Sequence, residues 1–264
     1  QWNLWLLRNM RRLASDFDVL HIHGGVRRGE VAYLALRKLT KMSIFIQCNG
    51  SEALNGVGLH WRSIAHGMFH TDPDIRGIVG GTWMPQPIDV SEQPPEMFHH
   101  EKPMFLHTPS SFAMKGTQSI IEMFTAAFGP LEHSSLEFPT GGRKEFYIGK
   151  DAELWVVTGI PHHAVESLVK RSDVVIDQMT SRGIYGYVSV EAMALGKPTL
   201  STINRGLYPA DCPVIYPRVT KLMELAKDES GRRHYGELGR AYVERVHAAP
   251  VVAKKALDAY TKAL

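Results

Sequence analysis

The loop after residues 173–177 carries residue types suited to holding a phosphorylated ligand. Gly183 and Gly186 allow the backbone to approach a ligand closely, and a helix predicted from Val188 presents free N–H groups to a phosphate. Glu191 falls in the first turn of that helix, where its carboxylate can accept two hydrogen bonds from a ribose diol. It can equally complement the positive end of the helix dipole. The residues alone leave both interpretations of Glu191 open.

Two histidines end the apolar segment 18–23, which a Gly-Gly turn follows. His23 is expected to project past the sheet into a cleft, because it is the last residue of the predicted strand. His21 and His23 share one face of that strand, a spacing that metal sites also use. The sequence offers no convincing third ligand, so we predict no metal and no cofactor.

Other positions give weaker signals. Lys115 precedes Gly116 and is either an ordinary exposed lysine or a point charge beside a phosphate. His162 and His163 open a predicted helix, where surface placement is expected and contact with a nucleotide base is the alternative. The sequence has no dinucleotide fingerprint, Walker loop or nucleophile elbow, which argues against NAD, ATP and serine-hydrolase chemistry.

The elements that must position these residues alternate between strands and helices. A glycine turn separates strand from helix repeatedly, which favours parallel sheets flanked by helices. Predicted strands are 18–23, 43–47, 104–107, 154–157, 173–177, 199–201 and 214–216; predicted helices are 2–14, 29–39, 117–128, 162–170, 188–195 and 221–264, the last broken at Pro250. Residues 132–151 lack periodicity and are predicted to be a surface excursion.

A proline-rich polar stretch divides this pattern in two. It places a linker at 89–103, an N-terminal domain at 1–88 and a C-terminal domain at 104–264. The sequence therefore predicts two α/β halves. The basic amphipathic segment 2–14 is expected to pack on the first sheet, and contact with an anionic membrane surface is its alternative.

Composition sets the limits of these interpretations. The chain has 264 residues, of which 44% are hydrophobic and 22% charged, as expected of a globular protein. Its net charge of +3 requires no anionic partner, and we predict no nucleic-acid binding. No apolar run is long enough for a membrane span, and the apolar start lacks a signal-peptide cleavage motif. Two cysteines make neither a disulfide framework nor a four-ligand zinc site.

The segment 186–198 resembles the nucleotide-sugar loop of the retaining glycosyltransferases of the GT-B fold, group 1 or family 4. That family has a glutamate, seven residues, a second glutamate and then Ala-Met-Ala-x-Gly-x-Pro. Glu191 and the residues that follow it match from the second glutamate onward, whereas Gly183 stands where the first is expected. The resemblance implies that Glu191 binds ribose. The glutamate that Gly183 replaces is placed near the donor sugar in that family.

The resemblance extends to other segments. Residues 108–117 are similar to the family's arginine-x4-lysine-glycine loop, in which two cations hold the donor diphosphate. Lys115 matches the lysine, whereas Ser110 replaces the arginine. Residues 16–25 resemble the strand that delivers a histidine to the cleft. This implies that His23 faces the donor sugar and that His21 is buried.

The resemblance implies a GT-B fold of two Rossmann-like domains with an abbreviated N-terminal half. The implied function is transfer of a sugar from a nucleotide diphosphate sugar to an acceptor (glycan, lipid or protein) with retained anomeric configuration, without metal. His23 and Lys115 are the implied catalytic residues. The implied nucleotide-sugar-binding residues are Gly24, Lys115, Gly183, Tyr185, Gly186, Tyr187, Val188, Ser189 and Glu191.

Two rival functions stay open. Gly183, Ser110 and the short N-terminal half favour a degenerate relative that binds nucleotide without transfer. A nucleotide-sugar epimerase shares the fold, although the Lys115 and Glu191 loops favour transfer. The expected location is the cytoplasm, with peripheral contact at the inner face of a membrane left open. The donor base, the donor sugar, the acceptor and the oligomeric state are not predicted.

Overall fold

The computed structural model describes residues 8–9, 12, 14–24, 38, 41–54, 60–91, 100–139 and 141–264. They divide into two compact units. Unit 1 lies within residues 1–86 and 250–264, and unit 2 is residues 87–249. Most of the predicted helices at 2–14 and 29–39, and part of the linker, lie outside the described residues. No described helix combines the length and the apolar character that crossing a bilayer requires.

Unit 1 contains a four-stranded sheet in the order β1-β2-β3-β4, with all neighbours parallel. The strands are β1 (Val19–His23), β2 (Ser43–Cys48), β3 (Gly67–His70) and β4 (Thr82–Trp83). Short helices α1 (Gly50–Leu54) and α2 (Arg76–Val79) and 3-10 turns at His60–Ser63 and Pro73–Ile75 connect them.

Successive side chains of a strand point to opposite faces of the sheet, and different helices pack on the two faces. Ile44, Ile46 and Cys48 pack with Ile64, Ile75 and Val79 on the side of the short helices. On the other face, Phe45 and Phe69 pack against Val252 and Tyr260 of the last helix, α9 (Ala249–Ala263). The chain therefore returns to unit 1 at its end.

Unit 2 contains a six-stranded sheet in the order β10-β9-β5-β8-β7-β6. Its first four strands run parallel, and β7 and β6 add an antiparallel hairpin. The strands are β5 (Met104–His107), β6 (Glu132–Glu137), β7 (Arg143–Ile148), β8 (Glu153–Thr158), β9 (Val174–Gln178) and β10 (Thr199–Ser201).

Helices cover both faces of the second sheet. Their bounds are α3 (Phe112–Lys115), α4 (Thr117–Phe128), α5 (His162–Arg171), α6 (Tyr187–Ala194), α7 (Val219–Lys227) and α8 (Glu229–Val246). Phe105 and Ile176 pack with Phe124 of α4 and Leu222 of α7 on one face. Leu106 and Val175, one residue away along their strands, pack with helices α5 and α6 on the other. The predicted fold class, two α/β halves, is confirmed.

Several predictions of elements and boundaries were wrong. The predicted surface excursion at 132–151 contains the hairpin β6–β7, whose outer strand is exposed along its whole length and so lacks the apolar alternation that marks a half-buried strand. The predicted strand at 214–216 makes only an isolated bridge from Ile215 to Leu200. Residues 250–264 were assigned to the C-terminal domain, but they belong to unit 1 because α9 covers Phe45 and Phe69.

The predicted C-terminal helix is three helices. The first break is at Asp228, whose carboxylate accepts a hydrogen bond from the Gly231 N–H and so begins α8. The second break precedes α9, where Pro250 lies in the first turn, a position that proline tolerates because it lacks an N–H.

Candidate functional site

The carboxyl ends of β5 and β9 bring Lys115 and a buried aspartate together. The Lys115 Nζ lies 2.8 Å from Asp177 Oδ1 and donates a second hydrogen bond of 2.8 Å to Gln178 Oε1. The Lys115 side chain is 20% exposed, whereas that of Asp177 is fully buried. Lys115 reaches this point because Gly116 adopts φ 68° and ends α3 beside the Met179 carbonyl.

Asp177 also closes the beginning of α6. Its carboxylate accepts hydrogen bonds from the Gly186 N–H and, at 2.7 Å, from the Ser189 hydroxyl. A carboxylate is favourable at this end of a helix, since it satisfies free N–H groups and complements the dipole. The first N–H groups of α6 thus start beside an internal anion. The N–H of Ser189, predicted to be free, instead donates to the Gly186 carbonyl at 3.1 Å. Sequence reasoning missed Asp177, although a charged residue at the end of an apolar strand is a usable signal.

Gly186 is required by space rather than by backbone conformation. A Cβ at this position would lie 2.8 Å from the Lys115 Nζ and 3.1 Å from both Asp177 carboxylate oxygens. A larger residue at position 186 would therefore require the Lys115 ammonium group to shift.

Gly183 occupies the position where the resemblance expects a glutamate. It adopts φ 68°, and a Cβ there would lie 3.0 Å from the backbone N and Cβ of Asn204. Its carbonyl accepts a hydrogen bond from the Asn204 N–H at 2.8 Å. Both the left-handed backbone and the packing therefore favour glycine here, and a carboxylate side chain does not fit without rearrangement.

Glu191 is a buried carboxylate with one nearby basic side chain. It is 5% exposed, and its Oε1 lies 3.1 Å from Nε2 of His162, the first residue of α5. Burial raises the pKa of Glu191 to about 7, the imidazole of His162 opposes that rise, and the carboxylate of Glu166 adds to it. Perturbed carboxyl groups of this kind are candidates for ligand contact. The pairing of His162 with a residue of α6 was not foreseen.

The aromatic residues of the loop separate into two environments. Tyr185 is buried, stacks on Tyr208 and makes hydrogen bonds to Tyr242 at 3.1 Å and to His247 Nε2 at 2.9 Å. Its side chain is therefore committed to the interior of unit 2, away from its predicted place in a ligand site. Tyr187, in contrast, is 37% exposed at the start of α6, followed by the partly buried Val188.

In unit 1, β1 presents its histidines as two different groups. His23 is exposed at the strand's end, and the following Gly24 adopts φ 80° and donates its N–H to the Gln47 carbonyl at 3.0 Å. His21 is partly buried and its Nδ1 lies 2.6 Å from the Tyr260 hydroxyl of α9. Burial, with the nearby His23 adding to it, lowers the pKa of His21 to about 4, so this imidazole is neutral at physiological pH.

Among the residues that the structure describes, no three His, Cys, Asp or Glu side chains come close enough together to hold a metal ion. The rings of His21 and His23 lie with their centroids 4.1 Å apart and their planes tilted by 33°.

No protein-family model and no curated protein matches this sequence. Solved structures do match its fold. HepE (Alr3699) of Anabaena in complex with UDP-glucose superimposes with a TM-score of 0.64 at 10% identity, over 97% of this chain and 82% of that one. The UDP complex of HepE gives a TM-score of 0.65 at 10% identity, with the same coverage. The likeness establishes the fold.

A second similar structure is the glycosylation-associated protein Gap123 complex of Streptococcus agalactiae. The TM-score is 0.54 at 10% identity, over 98% of this chain and 57% of that one. This likeness, too, concerns the fold.

Proposed function

We propose that this protein transfers a sugar from a nucleotide diphosphate sugar to an acceptor with retained anomeric configuration, the acceptor being a glycan, a lipid or a protein. The observation that carries the proposal is the arrangement around α6. A buried carboxylate, Glu191, lies on this helix, and the cation of Lys115 lies at its beginning. The UDP-glucose bound to HepE, which shares the fold, supports the same donor class.

Each group around α6 has a distinct role in the proposed reaction. The ionised Glu191 accepts hydrogen bonds from the ribose hydroxyls, and Lys115 with the first N–H groups of α6 stabilises the diphosphate. Asp177 neutralises part of the Lys115 charge in the free protein, and it fixes the amine at the helix start. Electrostatic stabilisation of the developing charge by preorganised donors is usually the largest single contribution to catalysis.

The proposed transfer needs no protein side chain as a base, because the leaving phosphate accepts the proton. The bond between the anomeric carbon and the diphosphate oxygen breaks, the acceptor oxygen bonds to the same carbon, and the acceptor proton passes to the leaving phosphate. Lys115 supplies the positive charge at the leaving group, so we expect transfer to persist in EDTA. His23, exposed at the end of β1, is proposed to act on the sugar in the transition state.

Glu191→Ala tests the nucleotide part of this proposal. The variant should lose about 1–3 kcal/mol of UDP binding, the scale of hydrogen bonds to a charged group. Calorimetry with UDP measures the loss, and the variant Glu122→Ala, which removes an exposed carboxylate from α4, is the control. Unchanged affinity in a folded Glu191→Ala protein would contradict the ribose assignment.

A nucleotide-binding protein without transfer activity is the second candidate. Gly183 favours it, because its left-handed backbone and its contact with Asn204 mean that an acidic side chain at that position requires rearrangement. Incubation with radiolabelled UDP-glucose and mixed acceptors distinguishes the functions. Labelled acceptor supports transfer, saturable binding alone supports the second candidate, and an altered sugar nucleotide supports an epimerase.

A further inference from the structure

His162 lies over the carboxylate of Glu191 without being packed in place. Its Nε2 is 3.1 Å from Glu191 Oε1, yet its side chain is 67% exposed, whereas that of Glu191 is 6% exposed. It is the first residue of α5, and its ring meets the edge of Tyr187 at a centroid distance of 6.5 Å. The polar contact with Glu191, rather than packing, is therefore the main interaction of this imidazole.

The ionisation of Glu191 depends on the charged groups around it, and His162 is one of them. From α5, Glu166 opposes ionisation of Glu191, and His162 favours it. The hydroxyl of Tyr187 belongs to the same helix as Glu191. From α8, the guanidinium of Arg240 binds the Ala194 carbonyl at the far end of α6, and from β9, Asp177 is paired with Lys115. Among the described residues, His162 is thus the one basic group that pairs with Glu191.

We propose that His162 is a positioning residue that keeps Glu191 ionised and oriented in the free protein and stays beside the carboxylate when the ribose hydroxyls of a nucleotide bind it. The inference rests on the proposed function, because it takes Glu191 as the ribose ligand. It adds a second side chain that supports the carboxylate and a proton-dependent affinity. The ligand chemistry is a vicinal diol that donates two hydrogen bonds to one carboxylate.

The sign of the pH dependence follows from Glu191. A protonated carboxyl cannot accept both hydroxyl donors, so nucleotide affinity falls as the pH falls through about 7, the pKa that burial gives this group. Removing His162 removes an interaction that favours ionisation, and the pKa of Glu191 rises further. The loss of affinity in His162→Ala must therefore be greater at low pH than at high pH.

Calorimetry with UDP tests this expectation in the full chain. His162→Ala should bind UDP about three- to fivefold more weakly near pH 6, as expected for loss of one partly exposed ion pair, and less than about twofold more weakly near pH 9. His163→Ala, the exposed neighbour on the same turn, is the matched control and should follow the parent protein at each pH. His162→Gln keeps a hydrogen-bond donor without a charge. It should bind UDP like the parent protein near pH 9 and as weakly as His162→Ala near pH 6.

A ligand-free measurement separates failure of this inference from failure of the proposed function. The carboxyl ¹³C resonance of Glu191, assigned by its absence in Glu191→Gln, should titrate about half a pH unit higher in His162→Ala than in His163→Ala. If neither UDP nor another nucleoside diphosphate binds to any of these proteins, the proposed function is wrong, and the titration still tests His162. Equal titration midpoints, or an affinity loss that is uniform across pH, would overturn the role of His162.

Discussion

At the scale of single residues, Lys115 has two partners that compete for it. In the free protein its ammonium group satisfies the buried carboxylate of Asp177, and in the proposed complex it also faces a diphosphate. Breaking a buried ion pair by removing one partner costs about 3–5 kcal/mol, because the other charge stays buried. A loss of ligand binding in a Lys115 variant therefore has to be separated from a loss of stability.

A pair of variants makes that separation. Lys115→Ala should lower the thermal midpoint and weaken UDP binding much more than uridine binding, because only UDP carries the charge that Lys115 meets. Lys115→Ala combined with Asp177→Asn should recover much of the stability, since no unpaired charge remains, without recovering UDP affinity. Scanning calorimetry and titration calorimetry measure the two effects, with Lys150→Ala as an exposed-lysine control. Equal losses for UDP and uridine would assign Lys115 to the fold alone.

At the scale of elements, the position of α6 depends on how closely α8 approaches its end. Gly236 of α8 lies against Gly196, the residue after the α6 C-cap at Leu195, and a Cβ at 236 would lie 1.9 Å from the Gly196 carbonyl oxygen. The same interface contains Gly239 against Met193. Glycine costs helix propensity at both positions, and close packing of the two helices offsets that cost.

Gly236→Ala is therefore expected to destabilise the protein although alanine is the better helix former. The gain in propensity of about 1 kcal/mol is outweighed by forced separation of the two helices, for a net loss of about 1–3 kcal/mol. Gly77→Ala is the matched control, because a Cβ on that helical glycine meets nothing within 4 Å. Thermal unfolding of the two variants measures the difference. A Gly236→Ala protein as stable as Gly77→Ala would show that the helices separate without cost.

At the scale of the whole molecule, acidification is expected to affect the stability of the two units differently, because their titrating groups differ. In unit 1, burial lowers the pKa of His21 to about 4, and that of His70 is also lowered by burial. The unfolded chain thus binds these protons first, and acidification below 6.5 weakens the unit. In unit 2, the lowered pKa of His107 weakens the unit on acidification in the same way. Glu191 has the opposite effect: its pKa is raised in the folded state, so the folded protein binds a proton at Glu191 before the unfolded chain does, and this stabilises unit 2 below pH 7.

Acidification from about pH 7 to about pH 5 should therefore destabilise unit 1 more than unit 2, across the range in which these groups titrate. Hydrogen exchange with mass spectrometry, corrected for the intrinsic rate at each pH, reports the two units separately. His21→Asn should reduce the pH sensitivity of unit 1 without changing that of unit 2. Equal loss of protection in both units would contradict the assigned signs.

Local sequence patterns were enough to predict most of the elements and the class of fold. The alternation of strand, glycine turn and helix predicted parallel sheets. The short, mainly apolar strands β2, β5 and β9 are buried on both faces, and that burial leaves a local pattern in the sequence. Glycine and proline after Leu195 predicted the end of α6 for a similarly local reason. The hairpin β6–β7 left no such pattern, since its outer strand buries no side chain.

The tertiary structure decides which side chains come into contact across long sequence separations. Lys115 and Asp177 lie 62 positions apart, and His21 and Tyr260 lie 239 positions apart, so no local pattern connects either pair. The return of α9 to unit 1 followed from its fit over Phe45 and Phe69, which the amphipathic pattern of α9 could not specify. Glu191 was recognisable from its neighbours in sequence. Its raised pKa and its pairing with His162 were not, because burial and charge contact arise only when distant segments pack together.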